Sequence, residues 1–101
     1  MKRDLLPDHF DFEKSTPLWV VSSDRKSIER KFIFKDFGQA FEFMTLSAQY
    51  AEEISHHPDW CNAWNEVRVI LTTHSSGGLT ELDVRMAQKM NNLVRQFQVK
   101  S

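Results

Sequence analysis

The chain has 101 residues, of which 41% are hydrophobic and 27% charged, with a formal net charge of −1. This is the balance of a folded globular chain, not of a disordered one, and it gives no electrostatic drive toward nucleic acid or an anionic membrane. One domain fits the length, and a chain this short buries only about 60–70% of its unfolded surface, so self-association is expected to help it.

The single cysteine, Cys61, rules out an intrachain disulfide and fits a reducing compartment. It reads as a small buried residue rather than a nucleophile. The start, "MKRDLLPDHFDFEKS", has early charges and no long apolar stretch, so no secretory signal is expected there. No run approaches the roughly 18 apolar residues of a membrane helix. The expectation is a cytoplasmic protein, with the nucleus also open to it.

Residues 1–16 read as a lead-in with room for a short helix, and residues 17–101 as a single domain. "LWVVS", Leu18–Ser22, is short and rich in β-formers and reads as a strand, and "SDRKS" supplies turn residues. "SIERKFIFK", Ser27–Lys35, has period two, with Ile28, Arg30, Phe32 and Phe34 on one parity. These two strands are expected to form a hairpin. Asp36 with Gln39 opens a helix predicted over Phe37–Ser55, with Phe37, Phe41, Met44, Ala48 and Ala51 as the apolar stripe toward the sheet. Pro58 disfavours helical geometry at His57, so His56 and His57 are placed at or just past the helix end. "NEVRVILTTHS" is the third strand, with Val67, Val69 and Leu71 on one face. After the "SSGG" turn, Thr80 caps a second helix with Asp83 at its third position and an apolar stripe of Leu82, Met86, Met90, Leu93 and Phe97. A fourth short strand is expected near Leu79 or in the tail. The sum is an α+β two-layer sandwich, with an antiparallel sheet and helices on one face. Its open sheet face and strand edges again argue for oligomers.

His56, His57 and His74 are the candidate chemistry, because a helix end and a strand end joined by a short loop can lie close together. Three readings are open. Zinc requires three or four converging ligands, and adjacent side chains diverge by roughly 100° on a helix and roughly 180° on a strand, so "HH" is a poor pair of ligands. General acid–base catalysis suits imidazoles, which titrate near neutrality, and divergent neighbours can reach different parts of one substrate. Trp60 and Trp64 could wall such a pocket. The plain alternative is a solvated helix C-terminus, where histidine interacts with the helix dipole. Glu52 stands at helical spacing from His56, and Asp83 is accounted for as a cap.

The joint spacing of Glu52, His56-His57-Pro58, Trp64, His74 and Asp83 resembles the signature of the pterin-4a-carbinolamine dehydratases, also called the dimerization cofactor family. "STPLWVV", "IERKFIFKDFGQAFEFM" and "NEVRVILTTHSSGGLTELD" are similar to the family as well, from about Pro17 to the C-terminus. The resemblance implies dehydration of a 4a-hydroxytetrahydropterin to the quinonoid dihydropterin, in recycling of the tetrahydrobiopterin used by aromatic amino-acid hydroxylases. It implies no metal and no organic cofactor. It implies His56, His57 and His74 as the catalytic trio, with His57 and His74 in direct proton transfer and His56 in substrate positioning. Pro58, Trp60, Thr73, Ser75 and Ser76 would join the three histidines in binding the pterin, with Glu52 and Asp83 orienting histidines. A four-stranded antiparallel sheet and dimers or tetramers are also implied. The rival it carries is a non-catalytic cofactor that binds a transcription factor or assists an enzyme's assembly, without contacting nucleic acid directly.

Overall fold

A computed structural model describes residues 3–97. A short helix, α1 (Phe12–Ser15), is followed by β1 (Val20–Val21), β2 (Ile28–Ile33), α2 (Phe37–Ile54), β3 (Asp59–Ala63), β4 (Glu66–Leu71), a 3₁₀ turn at His74–Ser76, and α3 (Glu81–Val94). The four strands form one antiparallel sheet in the order β1-β2-β4-β3. The expected α+β architecture and the β1–β2 hairpin are both present.

Sheet parity decides what is buried. Ile28, Phe32 and Phe34 join Val67, Val69 and Leu71 on the face covered by the helices. The α3 residues Met86, Ala87, Met90, Leu93 and Val94 complete this core. Arg30 shares the parity but not the burial of its neighbours. Its guanidinium lies over the Phe32 ring at 4.3 Å and donates to Asn91 Oδ1 at 2.5 Å. Burial lowers its pKa from the ordinary arginine value.

The stripe expected for α2 is corrected in part: Ala51 lies in the core and Met44 packs half-buried against it, as expected, but Phe37 and Phe41 do not. The side turned to the core is Ala40, Phe43, Ser47 and Ala51, whereas Phe37 and Phe41 are 47% and 55% exposed and stack on each other at 5.7 Å. Both sets recur at three- and four-residue steps, so periodicity alone does not choose between them. The sheet chooses: Phe43 packs against Phe32 and Phe34 at centroid distances of 4.7 and 5.0 Å.

The fourth strand is β3, between Pro58 and Trp64, and not a strand near Leu79. The tail alternative falls on residues 98–101, outside the described residues. "DWCNA" has no β-branched residue and hides its strand character from propensity. Its pairing is nonetheless continuous, from Asp59 opposite Ile70 to Ala63 opposite Glu66. A two-residue loop, Trp64-Asn65, closes the hairpin, with Trp64 in the left-handed region at φ 51°. Asn62 Nδ2 donates to the Trp64 and Glu66 carbonyls and holds that loop. Cys61 consequently faces away from the helices and is exposed, which corrects the expectation of a buried thiol.

The lead-in packs into the same body. Phe12 belongs to the core, and the Leu6 N–H donates to the Leu79 carbonyl at 2.9 Å. Among the described residues no helix is long and apolar enough to cross a membrane.

Candidate active site

Helix α2 ends before the histidines, and Ser55 is what ends it. Ser55 sits in the left-handed region at φ 54°, and the His56 N–H donates back to the Ala51 carbonyl at 3.0 Å. This six-to-one bond is the Schellman way of closing a helix, at a position where glycine is usual. The turn throws the two neighbouring side chains in different directions. His56 is buried against α3, and His57 is exposed. Pro58 then carries the chain into β3.

His56 Nε2 lies 2.6 Å from Asp83 Oδ1, and Asp83 is fully buried. The other carboxylate oxygen, Oδ2, accepts from Thr73 Oγ1 at 2.8 Å and from the Thr80 N–H at 2.9 Å. Thr80 Oγ1 contacts Thr73 Oγ1 at 2.8 Å and accepts from the Leu82 N–H at 3.2 Å. Counting hydrogens orders this network. Thr73 spends its one hydroxyl hydrogen on Asp83, so the Thr80 hydroxyl donates to Thr73. An ionised Asp83 is acceptor-only and completes every contact if His56 carries hydrogen on Nε2. When the ring is neutral, His56 Nδ1 is then the nitrogen with a free lone pair.

Asp83 therefore does two things with two oxygens. Oδ2 closes the capping box of α3 with Thr80, and Oδ1 fixes the ring of His56. The sequence pointed to each role separately. Thr73 and Thr80 as hydroxyl partners of that carboxylate were not read from the sequence. The signal for Thr73 was available, because it extends the inward parity of Val67, Val69 and Leu71 by one step.

Glu52 pairs with His57, not with His56: Oε2 lies 2.5 Å from His57 Nε2, and both side chains are exposed. Straight helical spacing pointed to His56, but the left-handed Ser55 breaks that geometry. His74 opens the 3₁₀ turn and is exposed. Continuing the β3–β4 register past Asp59 and Ile70 would set His57 beside Thr72, two residues before His74. The link from His56 through Asp83 to Thr73 ties the same two chain segments together. Ser75 and Ser76 complete the turn.

The two tryptophans part company. Trp60 lies opposite Val69 on the helix side of the sheet and packs, partly exposed, against the core. Trp64 stands at the far end of β3, 65% exposed, about 20 Å of extended chain from the histidines. Trp64 is not a wall of a pocket shared with them. Among the described residues no three His, Cys, Asp or Glu side chains are grouped so as to hold a metal ion.

A buried carboxylate holds one imidazole, and two further imidazoles are exposed, so the groups present are chemically able to donate and accept protons. The family model described as Pterin 4 alpha carbinolamine dehydratase matches residues 6–93. The chain belongs to this family. Proteins named "Putative pterin-4-alpha-carbinolamine dehydratase" from Brucella ovis and Brucella canis are each 55% identical to it over 73 residues, covering 72% of this chain and 75% of theirs. A crystal structure of a transcriptional coactivator/pterin dehydratase from Brucella melitensis is similar with a TM-score of 0.82 and 44% identity, over 89% of this chain and 98% of that one. A pterin dehydratase-like RuBisCO assembly factor of the alpha-carboxysome shares the fold, with a TM-score of 0.63 and 21% identity over 74% of this chain and 87% of the other. The pterin carbinolamine dehydratase match begins before Pro17 and includes α1.

Proposed function

We propose that this chain is a 4a-hydroxytetrahydrobiopterin dehydratase acting in tetrahydrobiopterin recycling. The observation that carries the reading is the buried Asp83–His56 pair, set beside exposed His57 and within the loop system that bears His74. In the reaction the C4a–O bond breaks, and the oxygen leaves as water after receiving a proton. The proton on N5 passes to a base, and the electron pair of that N–H bond forms the new C=N bond of the quinonoid dihydropterin. Atoms balance with the loss of one water, and one acid and one base suffice.

His57 and His74 are the groups proposed to exchange these protons, because both imidazoles are accessible. His56 is proposed to position the substrate. Its Nε2 is committed to Asp83, which leaves only Nδ1 to meet a ligand. Glu52 holds the His57 ring through its contact with Nε2. The backbone of Thr73, His74, Ser75 and Ser76 is proposed to bond the amide edge of the pterin, with Pro58 and Trp60 beside its ring. A stopped-flow assay with 4a-hydroxytetrahydrobiopterin should show dehydration well above the uncatalysed rate. A rate equal to the uncatalysed one would remove the enzyme from consideration.

The second reading is a binding cofactor for a protein partner, and it is favoured by the exposed apolar side chains. Phe37 and Phe41 on α2, and Val20 and Ile33 on the sheet face away from the helices, are poorly covered in the single chain. We propose that a second copy covers at least one of these surfaces, so that light scattering on purified protein reports a dimer or tetramer. A monomer at tens of micromolar would leave those surfaces for another partner. A cytoplasmic location is part of the same proposal.

A further inference from the structure

His74 is exposed, so its place is set by the backbone that carries it. That backbone is a small closed loop. The Thr73 N–H donates to the Gly78 carbonyl at 2.9 Å, the Ser76 N–H to Thr73 at 3.0 Å, and the Gly77 N–H to His74 at 3.1 Å. On one side the loop is tied to the β1–β2 hairpin, where Thr72 Oγ1 donates to the Lys26 carbonyl at 2.6 Å. On the other side it is tied to the segment at residues 3–6. Ser76 Oγ donates to the Arg3 carbonyl at 2.7 Å, Arg3 Nη1 donates to Glu81 Oε1 at 2.6 Å, and the Leu6 N–H donates to the Leu79 carbonyl at 2.9 Å. Leu5 lies over Gly78 so closely that a β-carbon there would meet its Cδ2 at 3.2 Å.

The N-terminal segment bridges this loop without filling the space beneath. A cavity of about 320 Å³ remains between them, lined by Leu5, Leu6, Phe12, Arg25, Gly78 and Leu79. The Arg3–Glu81 pair is exposed at both ends, so it adds little to global stability. Its contribution is local: Glu81 is the first residue of α3, next to the Thr80 and Asp83 cap that orients His56. A single strap therefore touches both halves of the candidate site. Arg3 and Leu5 lie before the stretch matched by the family model.

We propose that Arg3 and Leu6 are positioning residues, which hold the His74 turn in register with the α3 cap as a strap across the outside of the loop. The catalytic part of this inference rests on the dehydratase reading, while the structural part does not. A displacement of about 1 Å at a proton-transferring group can cost up to 100-fold in rate, so a strap of few contacts is enough to matter.

The test compares the full chain with one lacking residues 1–6, and adds Arg3→Glu, Glu81→Arg and the double exchange. Amide hydrogen exchange is read at Ser76 and Gly77 and at Phe32 and Val69 as core reporters, alongside kcat and KM. The truncated chain should exchange at Ser76 and Gly77 about tenfold faster with the core reporters unchanged, and its kcat should fall about tenfold. Each single charge reversal should move both readings in the same direction by a smaller factor, and the double exchange should restore them. Unchanged exchange at Ser76 and Gly77 would overturn the proposal, as would equal acceleration at the core reporters or failure of the double exchange to restore. If the full chain shows no dehydratase activity, the dehydratase reading falls, and the exchange measurement still decides whether the strap holds the turn.

Discussion

Replacing His57 or His74 by alanine should each lower kcat for pterin dehydration by about 100-fold or more, the usual contribution of a positioned general acid or base. Both side chains are exposed, and neither belongs to the core. Their removal should therefore leave the thermal midpoint within a few degrees of the parent. The double variant should cost much less than the product of the single effects, since groups acting in one step are not additive. Wild-type rates in both single variants would refute the assignment of roles. A large loss of stability in either would place that histidine in the structure instead of the chemistry.

Asp83→Ala should be the most destabilising polar substitution in the described fold, by about 3–5 kcal/mol. The estimate follows from what is left behind: a buried His56 ring nitrogen, a Thr73 hydroxyl and the Thr80 N–H, all without their acceptor. For a domain of this size the thermal midpoint should fall by more than about 10 °C. Asp83→Asn is the informative companion. It keeps volume and one acceptor oxygen, so it should retain much of the stability. It cannot offer an acceptor to both the His56 N–H and the pair formed by Thr73 and Thr80, so His56 loses its fixed tautomer or α3 loses its cap. Activity in Asp83→Asn should fall further than its stability does. Equal stability of the alanine variant and the parent, by chemical denaturation, would show that the network carries little energy.

The way these residues meet explains how much could be read in advance. The spacing of Glu52, His56, His57, His74 and Asp83 identifies a family because it is one-dimensional information, kept along the chain. The capping pattern of Thr80 and Asp83 is local too, within one turn of helix, and it appears as expected. The partner of each histidine is not local. His56 reaches Asp83 across 27 positions, and the switch of Glu52 from His56 to His57 depends on the backbone angle at Ser55. A serine in the left-handed region leaves no mark in the sequence, where glycine would have been the sign.

The sequence by itself determined the elements whose pattern is periodic and unambiguous: the alternation of β2, the inward parity of β4, the stripe of α3, and the two helix caps. Only the tertiary structure decided between equivalent patterns. Helix α2 offers two apolar faces, and contact of Phe43 with Phe32 and Phe34 selects the one that is buried. β3 has little intrinsic preference for a strand and becomes one because β4 supplies a ladder for its backbone. That pairing turns Cys61 outward and carries Trp64 away from the histidines. The physical reason is common to all of these. Local propensities differ by about 1 kcal/mol or less, whereas burial of a large side chain contributes about 1.5–3 kcal/mol, so packing settles what propensity leaves open.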